Sequence, residues 1–140
     1  MPLERTPVDY AVYRLQKARE CLQSAESEIA AGLFLDAANR SYYAIFHAMR
    51  AVLALERFDS KKHSGVISYF RQKYIKTGIF DTTFSDIVGT AFTVRNKSDY
   101  QDFYIVSKSD VSAQLENAKT FLAAVEEYLA PKIQDTRGEA

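Results

Sequence analysis

The chain has no tryptophan, one cysteine, two histidines, three prolines and five glycines among 140 residues, and each scarcity excludes something. A single cysteine, Cys21, rules out an internal disulfide and a thiolate metal cluster. Its place in a helical pattern makes it a packing residue, not a nucleophile. Two histidines sixteen residues apart, His47 and His63, do not make a zinc site without further ligands, so neither a metal nor a cofactor is expected. No Gly-rich phosphate loop, nucleophile elbow or HExxH is present. An excess of one charge is missing too: Lys+Arg and Asp+Glu both number 18, so global charge gives no reason to expect nucleic acid. No apolar run approaches the ~20 residues that span a bilayer, and no membrane association is expected. The polar start MPLERTPVD is not a signal peptide, which makes the cytoplasm the expected location.

What is there is ordinary in bulk and uneven in place. Apolar residues make up 47% and charged residues 26%, enough for one domain with a real core. The chain is organised around residues 34–56, FLDAANRSYYAIFHAMRAVLALE, a stretch without Pro or Gly. Steps of four and three give a large apolar seam of Ala38, Tyr42, Ile45, Met49 and Val52. Beside it runs a mostly small seam of Ala37, Ser41, Ala44, Ala48, Ala51 and Leu55. Two adjacent seams predict a helix packed against more than one neighbour, with the small one admitting a close backbone. A third line, Arg40, Tyr43, His47 and Arg50, is polar and basic.

The rest of the chain supplies the neighbours. Val8, Ala11, Leu15, Ala18, Leu22, Ala25 and Ile29 predict a first helix over 8–31, with Pro7 near its start and Gly32 at its end. A third helix is expected from His63 or Ser64 to Lys76, with Val66, Ile67, Phe70 and Tyr74 inward and Gly78 as its stop. A fourth is expected after a cap at 81–83, carrying Phe84, Val88 and Ala91. The segment RNKSDYQDFYIVSKSD reads as polar and aromatic and is not expected to continue as one helix. Ser107 and Asp110 form a capping-box-like start for a last helix with the seam Val111, Leu115, Ala118, Leu122, Val125 and Leu129, running to Pro131. The fold class is therefore all-α, an up-and-down antiparallel bundle of four to five helices over 1–131, with 132–140 as a flexible C-terminal tail.

Three polar groupings stand apart from the core pattern. From Arg57 to Phe80 six basic residues face one acid, and Lys61, Lys62 and His63 begin that cluster, which points to a phosphate-bearing partner. Arg40 and His47 lie two turns apart on one face of the central helix, ~10 Å in axial rise, so they can flank a polynucleotide backbone. The third is Arg95, which continues the buried seam of the fourth helix one step past Ala91. A guanidinium there is costly unless it is paired, and Asp99 stands at the pairing distance, or is used on a phosphate, with Asn96 and Lys97 beside it and Tyr100 or Tyr104 adding hydroxyls or stacking.

The stretches AANRSYYAIFHAMRAVL, KKHSGVISYFRQKYIKTG and VRNKSDYQDFY, with the last amphipathic helix, resemble the small prokaryotic HEPN-domain proteins over nearly the whole chain. The resemblance implies a helical bundle that works as a homodimer, encoded beside a minimal nucleotidyltransferase, in toxin–antitoxin or defence modules. Many such proteins are metal-independent endoribonucleases whose hallmark is Arg, four to six residues, then His. By position Arg95 matches the Arg and Asn96 the polar residue after it. Tyr100 stands where the His is expected, and a phenol with a pKa of about 10 is a poor base near neutral pH. Arg40 and His47 fit the widest spacing but lie in an earlier helix. Tyr104 or Tyr100 would be the acceptor if the partner transferase modifies a tyrosine near the motif.

Two functions follow, and a non-catalytic adaptor bundle is a third. The first is an RNA- or nucleotide-binding partner of a nucleotidyltransferase, favoured by the missing histidine and the basic third helix. The second is an endoribonuclease with Arg95 on the phosphate and Tyr100 or His47 in the remaining role, cleaving by attack of the RNA 2′-hydroxyl.

Overall fold

The computed structural model describes residues 4–137, and among them every regular element is helical. Helix α1 spans Pro7–Ala30, α2 Phe34–Ala54, α3 His63–Phe70, α4 Thr83–Tyr100 and α5 Lys108–Arg137. Thr6 opens α1 with a full capping box: its hydroxyl accepts from the Asp9 amide at 3.1 Å, and the Asp9 carboxylate accepts from the Thr6 amide at 2.9 Å. Pro7 sits just inside, where its missing N–H costs nothing. The α1–α2 connection is only residues 31–33, and Gly32 takes the left-handed conformation (φ 80°) that lets it reverse direction.

Both seams of α2 are buried as their spacing predicts, Leu55 alone being half-exposed. The buried line of α1 is also largely small (Ala11, Ala18, Cys21 and Ala25), so the two helices approach closely, and α1–α2 is the most extensive helix pair in the molecule. On its other sides α2 packs against α5 and α4. Gln114 of α5, one of two buried polar residues among the described residues, donates through Nε2 to the Ala38 carbonyl at 2.8 Å and so fixes how α5 lies on α2.

Three elements depart from their sequence reading. The third helix continues past Phe70, but as a π-helical turn over Arg71–Ile75. This wider turn still points Phe70 and Tyr74 inward, and it sends Arg71 toward α4, where Nη2 donates to the Ser85 carbonyl at 2.9 Å. Gly89 makes room for that guanidinium, since a Cβ at 89 would stand 2.9 Å from Nη2. The fourth helix does not break at Arg95 but runs to Tyr100, held in its last turn by the Arg95–Asp99 ion pair. The last helix passes through Pro131 to Arg137, whereas the sequence reading ended it at the proline and made 132–140 a tail. Residues 138–140 of that tail lie outside the described residues.

Candidate functional site

The polar line of α2 divides into two places where a histidine meets an arginine. The first lies between α2, α3 and α4. His63, the first residue of α3, stacks on Phe46 with ring centroids 4.0 Å apart, and its Nδ1 stands 2.7 Å from the Tyr42 hydroxyl. Tyr43 meets the same imidazole edge-on at 5.8 Å. The Arg95 guanidinium lies over the faces of those two tyrosines, 5.7 Å from the Tyr42 ring centre and 6.0 Å from that of Tyr43. Arg95 and His63 thus share two aromatic walls. The outer edge of Arg95 carries the ion pair, Nε to Asp99 Oδ2 at 3.2 Å, with the Arg95 side chain 23% exposed.

Electrostatics follow from this packing. Burial pushes the Tyr42 phenol well up, although Arg95 pulls the other way, so Tyr42 stays a neutral hydroxyl. Burial, with the positive charges of Arg95 and Arg50, holds His63 below the ordinary imidazole value. His63 therefore presents a neutral ring, and its Tyr42 contact survives in either tautomer because a hydroxyl both donates and accepts. Helix α3 starts beside this group with no side-chain cap and no acid in its first turn, and the exposed Lys61 and Lys62 precede it. Cations at a helix N-terminus oppose the helix dipole, which leaves that end electropositive.

The second place lies between α2 and α1. His47 Nδ1 accepts from Arg14 Nη1 at 3.0 Å, which puts any proton of the neutral ring on Nε2. Burial, then the charges of Arg14, Arg50, Lys17 and Arg40, lowers His47 to about 4. Arg50 pairs with Asp59 at 2.6 Å, and Arg40 is exposed, 5.8 Å from the Tyr43 ring centre.

The structure brings some of the sequence-predicted residues together and separates others. His63 and Arg95 meet. Tyr100 does not join them: it is 82% exposed and makes no hydrogen bond, ion pair or ring contact with Arg95. The reason is the unbroken helix. Five residues of α-helix end about 140° round from the start, whereas four residues return to nearly the same face, where Asp99 sits. Asn96 is half-buried and Lys97 exposed. Tyr104 is half-buried against the small core cluster that holds Ala37, Val106 and Leu115. Cys21 is buried and its thiol is pushed up by burial, in keeping with a packing role. Sequence reasoning missed Arg14, because one arginine on an amphipathic helix looks like solvent face. Its only signal was the run Tyr10, Tyr13, Arg14, Lys17 bordering the apolar seam. Among the described residues no group of three or more His, Cys, Asp or Glu is placed to hold a metal, and no helix is long and apolar enough to cross a membrane.

Known proteins share this chain's pattern along most of its length. A UPF0332 protein of Thermotoga maritima is 30% identical over 117 residues, covering 84% of this chain and 89% of that one. A UPF0332 protein of Archaeoglobus fulgidus is 33% identical over 115 residues, covering 82% and 91%. A protein of Methanocaldococcus jannaschii named "putative toxin" is 28% identical over 118 residues, covering 84% and 80%. The HEPN domain profile matches residues 11–128, from the second turn of α1 through most of α5. Five helices in this order, with that match over most of the chain, place the protein in the HEPN domain family, to which it belongs.

Proposed function

We propose that this chain is the toxin-like member of a two-protein module, binding RNA or a nucleotide through the α2–α3–α4 face and docking a nucleotidyltransferase as its partner. The observation that carries this reading is Arg95, a largely covered guanidinium lodged over Tyr42 and Tyr43 beside His63. Arginine on aromatic faces, next to an electropositive helix end, suits a phosphate with a base stacked nearby. Lys61 and Lys62, just before His63, extend the positive surface, and Arg40, over the Tyr43 ring, continues it along α2. The "putative toxin" name of the M. jannaschii relative and the family resemblance support the module and its partner.

A second reading, metal-independent cleavage of RNA in a homodimer, is favoured by one specific observation. The imidazole near Arg95 is His63, supplied by another helix, and its neutral ring can accept a proton from a ribose 2′-hydroxyl. Attack of that oxygen on the adjacent phosphorus would release the 5′-oxygen and leave a cyclic phosphate. The test is to incubate the purified protein with RNA in EDTA, beside Arg95→Ala, His63→Ala and His47→Ala. Under the binding reading no cleavage occurs and Arg95→Ala weakens RNA binding about tenfold or more by fluorescence anisotropy. Metal-free cleavage that disappears in Arg95→Ala and His63→Ala replaces it with the nuclease reading.

A further inference from the structure

A cavity of about 360 Å³ opens where the start of α1 meets the end of α2, apart from the Arg95 group. Its wall carries Tyr10, Arg14, Arg50, Arg57, Phe58 and Asp59. Three guanidiniums thus face one carboxylate. Asp59 is committed to Arg50 at 2.6 Å, and among the described residues no carboxylate forms an ion pair with Arg14. Arg14 is half-buried, and its hydrogen-bond acceptor is the neutral imidazole of His47. A cation in that position loses hydration and is repelled by Arg50, and together these outweigh the attraction of Tyr13 and of the more distant Asp59, which is why the Arg14 guanidinium binds its proton less firmly than usual. Arg57 adds a second cost: it holds a positive φ of 60°, a conformation disfavoured for any side chain with a Cβ.

We propose that this cavity is an anion site for a nucleoside 5′-phosphate, with the phosphate between Arg14 and Arg50 and the base against Tyr10 and Phe58. Charge selects the ligand class. Three arginines less one aspartate leave two positive charges on the wall, which match a phosphate monoester carrying about −1.5 to −2 at neutral pH. A phosphodiester or a carboxylate brings only −1. Tyr10 is 52% exposed, so a stacking face is open, and the volume is that of a small-ligand pocket. The monoester is either a free mononucleotide or the 5′-phosphate end of an RNA chain.

Calorimetry on the whole protein tests this with uridine and adenosine 5′-monophosphate against the nucleosides and the 3′,5′-cyclic monophosphates. The monophosphates should bind at least tenfold more tightly than either comparison ligand. Arg14→Gln should weaken them about tenfold, and Arg19→Gln, on the exposed side of α1, should leave them unchanged. Weakening in Arg95→Ala but not in Arg14→Gln would place the ligand on the α2–α3–α4 face and overturn the proposal. Asp59 is exposed, so Asp59→Asn keeps the fold and its acceptor for the Ser60 amide while freeing Arg50, and it should tighten binding severalfold. A 5′-phosphorylated oligoribonucleotide binding more tightly than the free nucleotide, and more tightly than its 5′-hydroxyl form, assigns the site to RNA ends. The reverse order assigns it to free nucleotide. Equal affinity for monophosphate and nucleoside, no binding at millimolar nucleotide, or weaker binding in Asp59→Asn would overturn the proposal.

Discussion

Two histidines on or beside one helix have been given opposite surroundings. His63 sits in a stack of rings, and the arginine it shares those rings with already holds a carboxylate, Asp99. His47 sits among Arg14, Lys17, Arg40 and Arg50, and among the described residues its nearest arginine, Arg14, forms no ion pair with a carboxylate. In the first site the arginine itself is neutralised by an ion pair, so on the proposed reading a phosphate competes with Asp99 for Arg95. The second sets Arg14, Arg50 and Arg57 against Asp59 alone, and Asp59 pairs with Arg50, so Arg14 is the guanidinium there that holds no ion-paired carboxylate. The contrast shows that a basic residue in a helical pattern states nothing about its readiness to bind; what its other edge touches decides that.

The two histidines share a wall at Phe46, which stacks on His63 and lies 5.8 Å from the Arg50 guanidinium. Phe46→Ala is expected to cost about 3–5 kcal/mol by urea denaturation, because the ring is buried and its cavity cannot refill. It should loosen both histidines together, seen as shifted imidazole resonances at each. If only His63 moves, the two sites are independent and share no wall.

The next largest effect is in pH. The depressed pKa of His47 means the unfolded chain, with an ordinary histidine near 6.5, takes up a proton that the folded chain refuses until about 4. This stabilisation is therefore complete above pH 6.5 and is lost as pH falls from 6.5 to 4. His47 is only partly buried, so solvent screening reduces the effect to roughly 1 kcal/mol. His47→Gln, which keeps a polar group for Arg14 but cannot titrate, should show a correspondingly flatter stability profile over that window. An NMR titration placing His47 near 6.5 would remove the electrostatic half of the comparison.

The smallest effect is expected at Asp99. Asp99→Asn releases Arg95 at a stability cost of about 0.5 kcal/mol or less, as for other helix-surface pairs. RNA affinity by anisotropy should rise a fewfold, since the phosphate no longer competes with a carboxylate. Unchanged affinity would mean that Asp99 does not guard the site.

Much of the bundle was legible because burial along a helix repeats. Every member of the α5 seam from Val111 to Leu129 is buried as spaced, and so is the large seam of α2. What repetition could not show was anything decided by a neighbour. Arg95, Asn96 and Lys97 looked like a loop because their polarity ends the apolar stripe, yet Arg95 itself bridges back to Asp99 and carries the helix on. Phe70 and Tyr74, four apart, read alike in an α- or a π-turn. The meeting of His63 with Tyr42 joins positions 21 residues apart on different helices, and that of Arg14 with His47 joins positions 33 apart. Residue types announced these side chains, but only the packing chose their partners.

The alanine seam between α1 and α2 also has a kinetic meaning. Alanine has no rotamers to lose, the connection closes over residues 31–33, and the contacts nearest that turn are short-range along the chain. This hairpin is thus the least costly long-lived contact the polypeptide can make on its way to the native state. Order would spread outward from it, with α5 arriving later across a much larger loop. The rate at which the molecule folds would then be set by its smallest side chains, while its largest ones act later, by slowing its unfolding.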